Sequence, residues 1–160
     1  MNTPEPTEVN WLTAEEQCAW RSFLALSRGM QTAIDRQLSR DSALSGSEYE
    51  VLVPLSESGT GVIRSRDLMH TLGWERSRLS HLLSRMARRG LLERLPCDSD
   101  ARGLDVRITP EGRRAIEGAA PGHLEMVRAA FVDHLTQEEM DTLRRVSGKV
   151  IPRLEELGLC

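Results

Sequence analysis

The stretch from Glu75 to Ile108 constrains the fold more tightly than any other. Leu79, Leu82, Leu83 and Met86 recur at i, i+3, i+4 and i+7, the spacing that gathers side chains on one face of an α-helix. The stripe predicts a helix from about Glu75 to Arg89, ended by Gly90. At 100° per residue its opposite face holds Ser77, His81, Ser84 and Arg88, with Arg78 and Arg85 on one shoulder. Leu91 to Leu95 follows as a short apolar-rich run. Leu104, Val106 and Ile108 then alternate with Asp105, Arg107 and Thr109, the period of a strand with one buried face. Pro96 to Gly103 between the two runs is polar, so the pair reads as a β-hairpin with a long tip that holds Arg102 beside Gly103.

What flanks this unit is helical. Thr13 and Glu16 fit a capping box, in which each side chain bonds the other residue's backbone amide. Trp20, Phe23, Leu24, Met30, Ile34 and Leu38 then recur at helical spacing, which predicts a helix of roughly 25 residues. Ser47 and Glu50 offer a second capping box for a short helix carrying Val51, Leu52 and Leu55, with Pro54 expected to kink or end it. Ser65 is placed to cap a two-turn helix with Leu68, Met69 and Leu72, closed by Gly73. After the hairpin, Thr109-Pro110-Glu111 starts another helix, with Pro at the first helical position and a kink expected at Pro121-Gly122. Thr136 and Glu139 begin a last helix, with a bend expected at Pro152. A short helix, a polar-faced helix and a hairpin in that order make a winged helix-turn-helix, whose second helix can enter a major groove. The expected class is mainly α with a small β-hairpin wing, in a single 160-residue domain. Residues 47–109 form the winged-helix lobe, and the helices of about 12–40 and 110–158 lie outside it.

The net charge of −3 argues against a polyanion partner, but its distribution argues for one. Arg64 to Arg107 holds ten arginines and six carboxylates, a net of +4, which leaves −7 for the remainder. A basic centre between acidic flanks is a local footprint for a polyanion, although a charged solvated surface would carry the same pattern.

The ordered set of local motifs resembles the MarR family of bacterial transcriptional regulators. It consists of Arg66-Asp67-Leu68 to Leu72-Gly73, Ser77-Arg78-Leu79, and Arg88 to Arg94. The wing Asp100-Ala101-Arg102-Gly103 and then Ile108-Thr109-Pro110-Glu111-Gly112 complete it. The similarity spans about Leu12 to Leu157. It implies a homodimer in which the first helix and the last two interleave with their mates. It also implies a pseudo-palindromic double-stranded operator that takes one recognition helix per half-site, about one helical turn apart. Ser77, Arg78, His81 and Arg85 are then the expected base and phosphate readers, since Arg forks to guanine N7 and O6 and Ser and His bond base edges or phosphates. Arg76 and Arg88 are expected on phosphates, and Ser65 near a phosphate at its helix N-terminus. Arg102 is the minor-groove candidate at the wing tip, and the resemblance implies that Asp100 braces it. Arg94 fits a structural ion pair as well as a DNA contact.

Other functions find less in the sequence. No nucleophile–base pair or phosphate-cradling Gly loop stands out, so no enzyme, catalytic residue or cofactor is expected. The histidines form no metal motif. Cys18, Cys97 and Cys160 are far apart and contain no Cys-x-x-Cys, so neither a disulfide framework nor a zinc knuckle is expected. A cytoplasmic location follows from that and from the lack of a visible signal peptide or apolar span. Two alternatives stay open: a cysteine-based redox-sensing regulator, and a winged helix that contacts protein instead of DNA. A repressor released by a small-molecule effector is the leading form of the regulator, with no ligand residues assigned.

Overall fold

The winged-helix core closes where α5 begins. Thr109 caps α5 (Pro110–Ala130) by accepting the Gly112 amide at 3.0 Å, and its own hydroxyl donates to the Gly90 carbonyl at 2.6 Å. The Thr109 amide also bonds the Leu91 carbonyl at 3.2 Å. One residue therefore joins the start of α5 to the end of the Arg-rich helix. The computed structural model that shows this describes residues 9–97 and 100–158, without the side chains of residues 97 and 100–102.

The chain divides into two units at Ala33/Ile34. The first contributes the leading part of α1 (Ala14–Asp41), capped as expected: the Thr13 amide donates to Glu16 Oε2 at 2.8 Å and the Glu16 amide to Thr13 Oγ1 at 3.2 Å. Trp20 and Phe23 stack on each other at 5.7 Å between ring centroids, yet both are more than half exposed.

The second unit takes the last turns of α1, where Leu38 is fully buried and Ile34 packs on the core. It continues through α2 (Gly46–Glu57), β1 (Val62–Arg64), α3 (Ser65–Leu72), α4 (Arg76–Arg88), β2 (Leu92–Cys97), β3 (Asp100–Ile108), α5, a 3-10 turn at Val132–His134 and α6 (Gln137–Glu156). The stripe of α4 is the centre of the core: Leu79, Leu82, Leu83 and Met86 are all buried, with Leu68, Leu92 and Val106 around them. Each such side chain removed from water contributes about 1.5–3 kcal/mol before entropy is counted. The sheet is antiparallel in the order β1-β3-β2.

Several local expectations are corrected. β1 is a third strand that pairs Val62–Arg64 with Asp105–Arg107; three residues are too few to show alternation. The cap of α2 is Ser45 with Glu48, two residues before the expected pair. Both pairs satisfy the motif, but the earlier one brings Gly46 against Asp35 of α1, where an added Cβ would meet the carboxylate at 2.2 Å. Arg64 takes the N-cap position of α3, so Ser65 is its first helical residue instead of its cap. α2 continues past Pro54, so that proline does not end it, and Pro121 and Pro152 likewise lie inside α5 and α6. The hairpin pairs further into its tip than expected, with a register slip between Pro96 and Cys97. Among the described residues no helix is long and apolar enough to cross a membrane.

Candidate nucleic-acid interface

The two faces of α4 separate by chemistry. With the leucines and Met86 inward, Ser77, His81 and Arg88 are exposed on the opposite crest. A recess opens on each flank. The one towards α2, about 410 Å³, is lined by Ser47, Arg78, His81, Arg85 and Arg88 among others. The one towards α3 and β3, about 480 Å³, includes Arg64, Ser65, Arg66, Arg76, Ser80 and Arg94. Of the seven expected contact residues with described side chains, Ser77, His81 and Arg88 thus lie on the crest, the last two also lining the α2 recess; Arg78 and Arg85 lie on the α2 flank, and Ser65 and Arg76 on the α3 flank. The side chains of Asp100 and Arg102 lie outside the described residues; their backbone belongs to β3, where the register slips.

Solved structures share this fold closely. AbsC, a MarR family transcriptional regulator from Streptomyces coelicolor, is 35% identical. It matches 92% of this chain and 99% of its own with a TM-score of 0.87. The chain belongs to the MarR family of transcriptional regulators. A second family member from Streptomyces coelicolor, Sco3205, solved in complex with DNA, is 38% identical over 93% of each chain, also at a TM-score of 0.87. The HTH-type transcriptional regulator PecS of Dickeya dadantii is 29% identical over 119 residues, 74% of this chain and 70% of its own. Residues 50–96, from α2 to the root of the wing, also match the family model described as Transcriptional regulator, AbiEi antitoxin.

Within this MarR-family winged helix, two contacts alter what the sequence suggested for individual residues. Arg94 on β2 donates from Nη1 to Ser84 Oγ at 2.7 Å, and Ser84 Oγ donates to the Ser80 carbonyl at 2.8 Å. Ser84 is therefore a half-buried link between α4 and the root of the wing. Among the described residues Arg94 has this hydroxyl partner and no ion pair, and its buried Nε has no hydrogen bond to them. Arg78 stands with its guanidinium carbon 4.0 Å from the centroid of the Trp74 ring, a cation–π stack. The first was not visible in the sequence, because it joins residues of different elements; the second joins residues only four apart across the start of α4, where the sequence pattern assigned Trp74 no role.

The end of α4 is tied down by charge. Arg89 donates from Nη1 to Glu48 Oε1 at 2.6 Å and from Nη2 to the Ala43 carbonyl at 2.6 Å. Glu48 is buried, and burial alone would push its carboxyl up. The Ser45 amide and then the Arg89 guanidinium outweigh burial and hold it below the ordinary value. The same carboxylate thus serves the α2 cap and fixes the angle between α2 and the last turn of α4.

The remaining candidates stay separate. Cys18 is exposed on α1, while the side chain of Cys97 and all of Cys160 lie outside the described residues. No group of His, Cys, Asp and Glu among the described residues is arranged to hold a metal.

Proposed function

We propose that the protein is a sequence-specific, double-stranded DNA-binding transcriptional regulator, a repressor that acts as a homodimer on a pseudo-palindromic operator. The observation that carries this reading is the crest of α4, a polar ridge with a basic recess on either flank. A ridge of this kind suits a helix laid in a major groove, with base edges under the crest and a phosphate strand along each flank. The DNA complex of Sco3205, at 38% identity, supports it. In this reading Ser77 and His81 face base edges, Arg78, Arg85, Arg76 and Arg88 take phosphates or guanine, and Ser65 presents the start of α3 to the backbone. Arg102, braced by Asp100, enters the flanking minor groove.

The homodimer is supported by apolar faces that the single chain leaves uncovered. On α6, Leu143, Val146, Val150 and Ile151 are exposed, and no residue of that helix is buried. On α1, Trp20, Phe23 and Leu26 are exposed as well. A second copy covering such stripes accounts for helices of this length. A small-molecule effector would release DNA by binding better to a dimer whose recognition helices are spaced wrongly for successive grooves.

The test is fluorescence anisotropy with the duplex upstream of the protein's own gene against a scrambled duplex, at two salt concentrations. The expected result is tight binding to the native duplex at two protomers per site, weakening steeply with salt. Equal and weak binding to both duplexes would count against sequence-specific regulation and in favour of a winged helix that contacts protein.

A further inference from the structure

We infer that Trp74 is a positioning residue for DNA: its ring holds the Arg78 guanidinium as a preformed phosphate fork on the α2 flank of α4. The inference rests on the DNA-binding reading above and names a part of the machinery which that reading does not contain.

Arg78 is not on the crest of α4. It is the shoulder residue nearest α2, lining the recess with His81, Arg85 and Arg88. The turn between α3 and α4 places an indole beside it. Gly73 ends α3 in the left-handed conformation, φ +62°, and the next amide, that of Trp74, bonds back to the Met69 carbonyl at 3.1 Å. A side chain other than glycine would be strained at that φ, so the turn fixes where Trp74 begins. The Trp74 ring belongs to the buried core and is 9% exposed, which makes it a rigid platform. The guanidinium carbon of Arg78 stands 4.0 Å from the ring centroid. From α2, Glu50 faces the same group. Burial raises its carboxyl most, the charge of Arg78 opposes that, and Asp35 adds to the rise.

An exposed arginine samples many rotamers, and ordering it on a ligand costs entropy. A guanidinium attracted by its face to an aromatic ring has surrendered part of that freedom already. Its edge keeps the planar set of N–H donors that matches a phosphate bidentately, and among the described residues none of them is engaged in a hydrogen bond. The turn of the helix-turn-helix therefore does more than set the angle between α3 and α4: it aims one phosphate contact. Preorganisation of this kind raises affinity without adding a contact.

The experiment measures anisotropy of a fluorescein-labelled duplex of scrambled sequence across a salt series, since a phosphate contact acts on any sequence. Arg78→Ala is expected to weaken binding about tenfold and to reduce the salt slope by about one. Trp74→Leu keeps an apolar side chain in the core but removes the ring. It is expected to weaken binding about fivefold when Arg78 is present and to have almost no effect in the Arg78→Ala background. Trp74→Phe, which retains a ring, is expected to recover most of the loss. Unchanged affinity in Trp74→Leu, or losses that multiply independently with Arg78→Ala, would overturn the inference. If circular dichroism shows Trp74→Leu unfolded, Arg78→Lys decides: it keeps the charge and loses the planar fork. Several-fold weaker binding at an unchanged salt slope supports the stacked fork, and wild-type affinity overturns it. A wild-type protein that binds neither this duplex nor the upstream one at low salt sinks the DNA-binding reading itself, a separate outcome.

Discussion

At the scale of single residues, the Thr109-Pro110-Glu111-Gly112 motif shows what a short signature encodes. Thr109 is legible as a cap from type and spacing alone, because an N-cap hydroxyl followed by proline is a local matter. Gly112 is not, because its reason lies across the fold. A Cβ built on it would stand 2.0 Å from the Leu91 carbonyl oxygen, with Ile108 Cγ1 at 3.1 Å. The first turn of α5 thus touches the backbone that leads from α4 into β2, and only glycine lets it approach. Gly112→Ala is expected to destabilise the fold by about 2 kcal/mol or more through overpacking against main chain that cannot step aside. Chemical denaturation would show this as a lower midpoint with a similar slope, and an unchanged midpoint would deny the close approach.

At the scale of elements, how α4 is held matters as much as what it displays. Its stripe, its outward residues other than the half-buried Ser84, and the strands after it were legible because they depend on periodicity within one segment. The ties were not: Arg78 to Trp74 depends on how the turn before α4 sets the indole, whereas Arg94 to Ser84 and Arg89 to Glu48, the ties between elements, depend on where segments meet. The displaced cap of α2 has the same origin, since Ser45-Glu48 and Ser47-Glu50 are equivalent locally and only the first places Glu48 under Arg89. Likewise β1 exists only because β3 is beside it. The tie at Glu48 carries a pH dependence. A carboxyl lowered in the folded state contributes stability that is fully present above its unfolded value, about 4.3, and is lost as pH falls through the folded value. Arg89→Ala leaves a buried carboxylate without its cation. Because Arg89 is itself 42% exposed, the expected cost at neutral pH is modest, about 1–2 kcal/mol. The gap from wild type should narrow as pH falls below about 4. Denaturation curves at neutral pH and at about pH 3.5 check the sign, and a gap that widens in acid would contradict the pairing.

At the scale of the whole molecule, the sequence anticipates long amphipathic helices outside the winged-helix lobe, and the structure adds that their apolar stripes are uncovered. Leu143, Val146 and Val150 recur along α6 at spacings of three and four, between 39% and 48% exposed. A periodic stripe differs from scattered surface leucines in that one continuous surface can cover it. The proposed homodimer makes this stripe necessary for function at a distance from DNA, because two recognition helices joined in one particle bind a palindrome with the second contact made intramolecular. Val146→Glu with Val150→Glu is therefore expected to yield a folded monomer. Its circular dichroism should stay close to wild type, since neither side chain is buried in the single chain. Its affinity for the upstream duplex should fall by about a hundredfold or more, while weak binding to a single half-site persists with roughly half the salt slope. Sedimentation equilibrium gives the mass and anisotropy gives the affinity. If the double variant keeps both the dimer mass and wild-type affinity, the α6 stripe is not the surface that joins the two copies, and the exposed stripe of α1 becomes the one to change next.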